Sequence, residues 1–281
     1  MKLKRQQIFL LFFVLLLLSV GIYFVLNIFQ TNRKIENFET QQFSTDDVDY
    51  YVITMGQPQR LKNIQEQLDK LNNENDGKSP IEIKNIDAVN GDDLDLNDLV
   101  SKGKMPEDVI SNPTYHGFMQ GEKMDRRKYE IGCYMSHLKT LDEIATNSNK
   151  KYSIVFEDDF EVQDGFWEKL QTSMDYILEN QPDFDMVLLG LNGPGIRSKL
   201  LDQNVYKFSC DPVDLHNKCY GSHAYLIPKE KTQKILPMID YMDDLIDTTI
   251  LRLGEEGKIN LLQIIPDIVK QNSPSTGSII R

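Results

Sequence analysis

The 281-residue sequence contains one tryptophan, four histidines and three cysteines. So few cysteines exclude a small disulfide-stapled scaffold, and the lack of a CxxC pair excludes a thioredoxin-like redox centre. An odd number allows at most one internal disulfide. Cys210 and Cys219 bracket a short stretch, 211–218, with a spacing that permits pairing in an oxidising lumen. Cys133, between Gly132 and Tyr134, reads as a small buried apolar group rather than a reactive thiol. There is no GxxxxGK[ST], GxGxxG, HExxH or GxSxG, which removes the common nucleotide-hydrolase, dinucleotide, zincin and serine-hydrolase readings. No Asn-x-Ser/Thr acceptor site is present, because Asn112 is followed by Pro113. Basic side chains are in deficit, 31 against 43 acidic ones, and residues 35–281 carry 26 against 43, a net charge of −17. A surface that acidic repels phosphate backbones, so nucleic acid is not an expected partner. With 40% hydrophobic residues, a disordered or fibrous chain is excluded as well.

What is present begins with an apolar run. From Ile8 to Phe29 only Ser19, Gly21, Tyr23 and Asn27 interrupt about 22 apolar residues, roughly 33 Å as a helix, which spans a bilayer. The run is too long for the apolar core of a cleaved signal peptide, and Val25 to Phe29 offers no small-residue exit. It reads as an uncleaved signal anchor, with a buried core helix as the alternative. Lys2, Lys4 and Arg5 precede it and favour a cytoplasmic amino terminus, hence a type II protein with its body luminal or extracytoplasmic. The expected organisation is a cytoplasmic tail at 1–7, an anchor at 8–29, a polar acidic stem at 30–48 and one domain at 49–281.

That domain alternates strand-like and helix-like segments. Tyr50 to Thr54 is rich in β-branched and aromatic residues, and Leu61, Ile64, Leu68 and Leu71 then recur at helical spacing. A short strand is expected at Ile81 to Ile83 and a helix at about 130–146, where Ile131, Met135, Leu138, Leu141 and Ala145 share a face. A strand at Ser153 to Phe156, a helix at 167–178, a strand at Asp185 to Leu189 ending in a Gly190 to Gly195 turn, a strand at Tyr225 to Ile227, a helix near 244–253 and an apolar stretch at 259–265 complete the pattern. Continuous apolar strands alternating with helices predict an α/β fold with a mostly parallel central sheet covered on both faces.

The sharpest chemical feature is Glu157-Asp158-Asp159, directly after Ile154-Val155-Phe156. Carboxylates at the carboxyl end of a buried strand stand where open α/β sheets bind ligands, and their mutual repulsion calls for a cation such as Mg²⁺ or Mn²⁺. In an extended chain, alternation would put Glu157 and Asp159 on one side and Asp158 on the other. A solvated acidic turn is the alternative. Ser136 and His137 add a hydroxyl and an imidazole; neighbours on a helix point about 100° apart, which disfavours a Ser/His nucleophile pair and leaves a structural histidine as the simpler reading. Asp243, Asp244 and Asp247 lie near a helix start, where negative charge is favourable, and Asp247 is the one closest to an apolar run. Arg60, in the first strand-helix connection, reads either as a diphosphate partner or as a surface arginine.

In order along the chain, Thr54 and Arg60, Asp87-Ala88-Val89-Asn90-Gly91, Glu130-Ile131-Gly132-Cys133 with Ser136-His137, Ile154 to Asp159, Gly221 to Ile227, Ile246-Asp247, Pro266, Gln271 and Ser278 together resemble glycosyltransferase family 25, the lipooligosaccharide and procollagen galactosyltransferase group. The resemblance covers about residues 49–280. It implies a GT-A-like, Rossmann-type single domain, a UDP-sugar donor, typically UDP-galactose, a glycan or protein hydroxyl acceptor, a divalent metal (Mn²⁺, or Mg²⁺) and inversion at the anomeric carbon. On that basis Glu157 and Asp159 are the expected metal ligands, Asp247 and Asp159 the catalytic groups, and Thr54, Arg60, Ser136, His137, Glu157 and Asp158 the donor site. Two other readings compete: a metal-dependent nucleotidyl- or phosphotransferase, and a membrane-tethered domain that binds glycan or metal without turnover.

Overall fold

The computed structural model describes residues 23, 42–75, 79–112, 124–193, 196–210 and 219–272. The chain divides into two compact units, Met1–Gln42 and Phe43–Arg281. The expected anchor at 8–29, Tyr23 apart, and most of the stem fall outside the described residues. Among the described residues no helix is long and apolar enough to cross a membrane.

The second unit runs β1 (Val48–Thr54), α1 (Pro58–Asn73), β2 (Ile83–Asp87), α2 (Leu96–Ser101), α3 (Asp108–Ser111), α4 (Met124–Asn147), β3 (Tyr152–Glu157), β4 (Phe160–Val162), α5 (Phe166–Asn180), β5 (Met186–Asn192), β6 (Lys199–Asp202), β7 (Val205–Lys207), β8 (Tyr220–Pro228), α6 (Lys229–Ile235), α7 (Ile246–Glu255), β9 (Leu261–Ile264) and β10 (Val269–Gln271). Eight strands form one sheet in the order β2-β1-β3-β8-β5-β9-β7-β6, and β4 pairs with β10 in a small second sheet. β1 is parallel to β2 and β3, and β5 to β9, whereas β8 is antiparallel to both its neighbours and β7 to both of its own. Six strands therefore share one direction, as a mostly parallel sheet requires, with β8 and β7 reversed among them.

Alternation along the central strands explains the layering. Tyr51, Ile53, Val155 and Tyr225 pack with Ile131, Tyr134 and Leu141 of α4 and Ile250 of α7, while Tyr50, Val52, Ile154 and Leu226 pack with Ile64 and Leu71 of α1 and Leu170, Met174 and Ile177 of α5. Each central strand thus buries both of its faces, which accounts for its continuous apolar sequence. Phe43 is buried ahead of β1, and its ring lies 5.6 Å from that of Tyr152.

Several expected boundaries move, each for a local reason. β2 begins at Ile83 rather than Ile81, because the Ile81 amide donates to the Asn72 side chain (2.7 Å) instead of joining the ladder. β5 continues through Gly190 to Asn192, pairing with β8 across register shifts at the glycine. The helix expected to start near Glu130 is already formed at Met124, so Gly132 sits in its interior and not at its start. A Cβ on Gly132 would come 2.6 Å from the Val89 carbonyl oxygen, and one on Gly91 would meet the Lys128 and Tyr129 backbone at 2.6–2.7 Å. Both glycines exist for the close approach of α4 to the 87–91 segment.

Candidate active site

The carboxyl ends of β1 and β3 open on a pocket of about 130 Å³ whose lining includes Thr54, Arg60, Cys133, Ser136, His137, Glu157, Asp158 and Asp159. Seven of the eight residues expected to form the site therefore converge there.

Alternation does not continue through the acidic triplet. Glu157 ends β3, and Asp158 and Asp159 form the two-residue turn into β4, so both aspartates face the same way. Arg60 occupies the space between them: Nη1 lies 3.0 Å from Asp158 Oδ1 and 3.0 Å from Asp159 Oδ2, and all three side chains are buried. The cation that the repulsion called for is thus supplied in part by the chain itself. Pro58, at the first position of α1 with its fixed φ, starts the helix so that Arg60 enters the cluster within the first turn. Three residues on, Asn63 shares that face and its Nδ2 donates to the carbonyls of Asp158 and Phe160, both at 3.0 Å, which holds the turn.

Further contacts complete the cluster. Gln271 Nε2 donates to Asp159 Oδ2 at 3.2 Å. The Thr54 hydroxyl accepts the Gly56 amide at 3.0 Å and favours the charged form of the neighbouring Asp158. Burial raises the Asp158 carboxyl above its ordinary value, against the pull of Arg60 and Thr54, and its two acidic neighbours add to the rise.

Glu157 turns to a different partner. Its Oε1 is 3.4 Å from Nε2 of the fully buried His137, whose Nδ1 lies 3.1 Å from the Tyr225 hydroxyl. Burial alone would raise the Glu157 carboxyl, but the imidazole outweighs it and keeps it below the usual glutamate value. Ser136 holds the wall of the pocket together, since its hydroxyl accepts the Val89 amide at 2.8 Å and donates to the Gly132 carbonyl at 2.6 Å. Asp247 is not in the pocket lining. On the first turn of α7 it accepts the amides of Gly221 and Thr248, both at 2.7 Å. Its charge still reaches Cys133 on the pocket wall.

Sequence reasoning missed the parts played by Asn63 and Tyr225. The first carried a signal, since Asn63 follows Arg60 by three positions, a one-face spacing on a helix. Tyr225 carried none, because only the insertion of β8 beside β3 brings it to His137.

A sheet of this order places carboxylates and an arginine at its strand ends, where open α/β sheets bind their ligands. Residues 48–250 match the model of glycosyltransferase family 25 (LPS biosynthesis protein), and the chain belongs to that family. Procollagen galactosyltransferase 1-A of Xenopus laevis is 31% identical over 177 residues, 59% of this chain and 27% of the relative. A Rattus norvegicus protein named probable inactive glycosyltransferase 25 family member 3 is 29% identical over 110 residues, 39% of this chain and 18% of the relative. The matched stretches thus span less than a third of these longer relatives. Among solved structures, CMP:2-keto-3-deoxy-manno-octonic acid synthetase complexed with CTP aligns over 77% of this chain and 88% of its own, at 9% identity and a TM-score of 0.37.

Proposed function

We propose that this chain is an inverting, metal-dependent hexosyltransferase that moves galactose from UDP-galactose to a hydroxyl of a glycan or protein. The observation that carries the reading is the buried Arg60-Asp158-Asp159 cluster, with Glu157 beside it, at the strand ends of a family 25 chain. The names of the relatives support galactose as the sugar.

Glu157 and Asp159 suit a hard divalent ion, since both present carboxylate oxygens to the pocket and Glu157 retains 25% side-chain exposure. Bound there, Mn²⁺ or Mg²⁺ supplies Lewis-acid neutralisation of the departing diphosphate. The chain's own groups do the remaining work. Arg60 fixes the two aspartates and adds positive charge next to the diphosphate. Thr54 and His137 border the donor, and Ser136 shapes the same wall by holding the 87–91 segment on α4. Inversion in a single displacement needs a base on the acceptor side, and Asp247, outside the donor pocket, takes the hydroxyl proton. The apolar run at 8–29 holds the enzyme in a membrane as a type II protein. The Cys210–Cys219 disulfide supports a luminal or extracytoplasmic body.

The test is UDP release by the full-length protein in detergent from UDP-galactose, UDP-glucose and UDP-N-acetylglucosamine, with and without Mn²⁺. Mn²⁺-dependent release from UDP-galactose, reduced about 100-fold in Asp159→Asn, is expected. A folded protein that releases UDP from none of the three sinks the proposal in favour of a non-catalytic binding domain. Pyrophosphate or nucleotidyl products sink it in favour of the nucleotidyltransferase reading.

A further inference from the structure

Among the described residues, one group of three potential metal ligands has its ligating atoms within 4.8 Å of one another: Cys133, His137 and Glu157. Cys133 and His137 are four apart on α4, the spacing that puts two side chains on one helical face, and Glu157 arrives from the end of β3. His137 is fully buried and its Nε2 makes no hydrogen bond, although Glu157 Oε1 stands 3.4 Å away. Nitrogen and oxygen ligands about 2.0–2.1 Å from a tetrahedral ion stand about 3.3–3.4 Å apart, so this edge already has the required length. A thiolate edge of such a site is about 3.6 Å, so Cys133 Sγ must approach by no more than about 1.2 Å. The thiol is the only unbonded cysteine among the described residues and lines the pocket. Burial and the carboxylates of Glu157, Asp247, Asp159 and Glu130 push the thiol up, so a thiolate there needs a cation beside it. On the far side of the imidazole, Tyr225 Oη is 3.1 Å from Nδ1 and accepts a hydrogen bond from Nδ1–H when Nε2 is a ligand, the second contact that metal-bound histidines usually make.

We propose that Cys133 Sγ, His137 Nε2 and a Glu157 carboxylate oxygen form a three-ligand site for Zn²⁺ on the wall of the donor pocket, with the fourth position open to the pocket. Sulfur and imidazole nitrogen select a borderline ion over Mg²⁺ or Mn²⁺, so this site is distinct in its metal from the carboxylate pair of Glu157 and Asp159. It shares the pocket with the transferase reading but does not depend on sugar transfer.

The experiment uses the full-length protein in detergent, stripped of metal and titrated with Co²⁺ as a spectroscopic substitute for Zn²⁺. One equivalent of Co²⁺ is expected to produce a thiolate-to-cobalt charge-transfer band in the near ultraviolet, displaced by one equivalent of Zn²⁺. Cys133→Ser is expected to abolish the band, Asp159→Asn to leave it intact, and Tyr225→Phe to weaken Co²⁺ binding about 10-fold. Circular dichroism on each variant separates loss of the site from loss of the fold. No such band in folded protein whose Cys133 thiol still reacts with a thiol reagent overturns the proposal, as does a band that survives in Cys133→Ser. UDP release is read in parallel: a band without UDP release rejects the transferase and keeps the Zn²⁺ site, and UDP release without a band does the reverse.

Discussion

Arg60 is 2% exposed, and its charge stands between two carboxylates that are nearly as deep. Buried ion pairs add little beyond what well-packed apolar groups provide, but removing one member leaves the others uncompensated. Arg60→Met is therefore expected to lower stability by about 3–5 kcal/mol at neutral pH, measured by urea unfolding of the full chain. The sign of its pH dependence follows from the orphaned aspartates. Without the guanidinium the Asp158 carboxyl, already pushed up by burial, rises further, so the folded state binds more protons and the deficit shrinks as pH falls. A loss that is independent of pH would mean that Arg60 acts through packing and not through charge. The spacing of Arg60 from the first strand was legible in the sequence, but its choice between a surface and a buried role was not, since burial depends on the turn at 158–159.

At the scale of elements, α4 is pressed onto the 87–91 segment at Gly132 and tied to it by the Ser136 bond to the Val89 amide. A methyl group at Gly132 must displace a backbone carbonyl, which cannot rotate out of the way as a side chain can. Gly132→Ala is expected to cost about 1–3 kcal/mol and lower the thermal midpoint, measured by calorimetry. Donor release should fall with it, because Ala88, Val89 and Gly91 border the pocket. Gly91→Ala meets backbone in the same way and should behave alike. The helix itself was readable from its apolar period; the partner that requires a glycine in its interior was not, because nothing local marks which loop will cross a helix.

For the molecule as a whole, the Cys210–Cys219 bond closes nine residues of chain between β7 and β8. Both cysteines are buried, so the bond is shielded. Loop-closure entropy predicts a contribution of about 2–3 kcal/mol for a loop this short. Complete reduction is expected to lower the unfolding free energy by that amount, and the urea midpoint with it, checked by unfolding with and without a strong reductant. An unchanged midpoint would show that the reduced unfolded chain retains structure there.

Composition and periodicity alone determined the α/β class, the burial of the central strands on both faces, the acidic triplet at a strand end and the membrane-length run at the amino terminus. Each of these follows from properties within a few residues: side-chain alternation, helical spacing, apolar length and charge. Tertiary structure alone decided that Asp158 and Asp159 share Arg60, that Glu157 turns to His137, that Tyr225 backs that histidine, and that Asp247 binds the start of β8 outside the pocket. Those pairings depend on strand order and on a two-residue turn that breaks alternation. Both are set by the packing of residues about a hundred positions apart in sequence, as with Arg60 and Asp158, where no local pattern has reach.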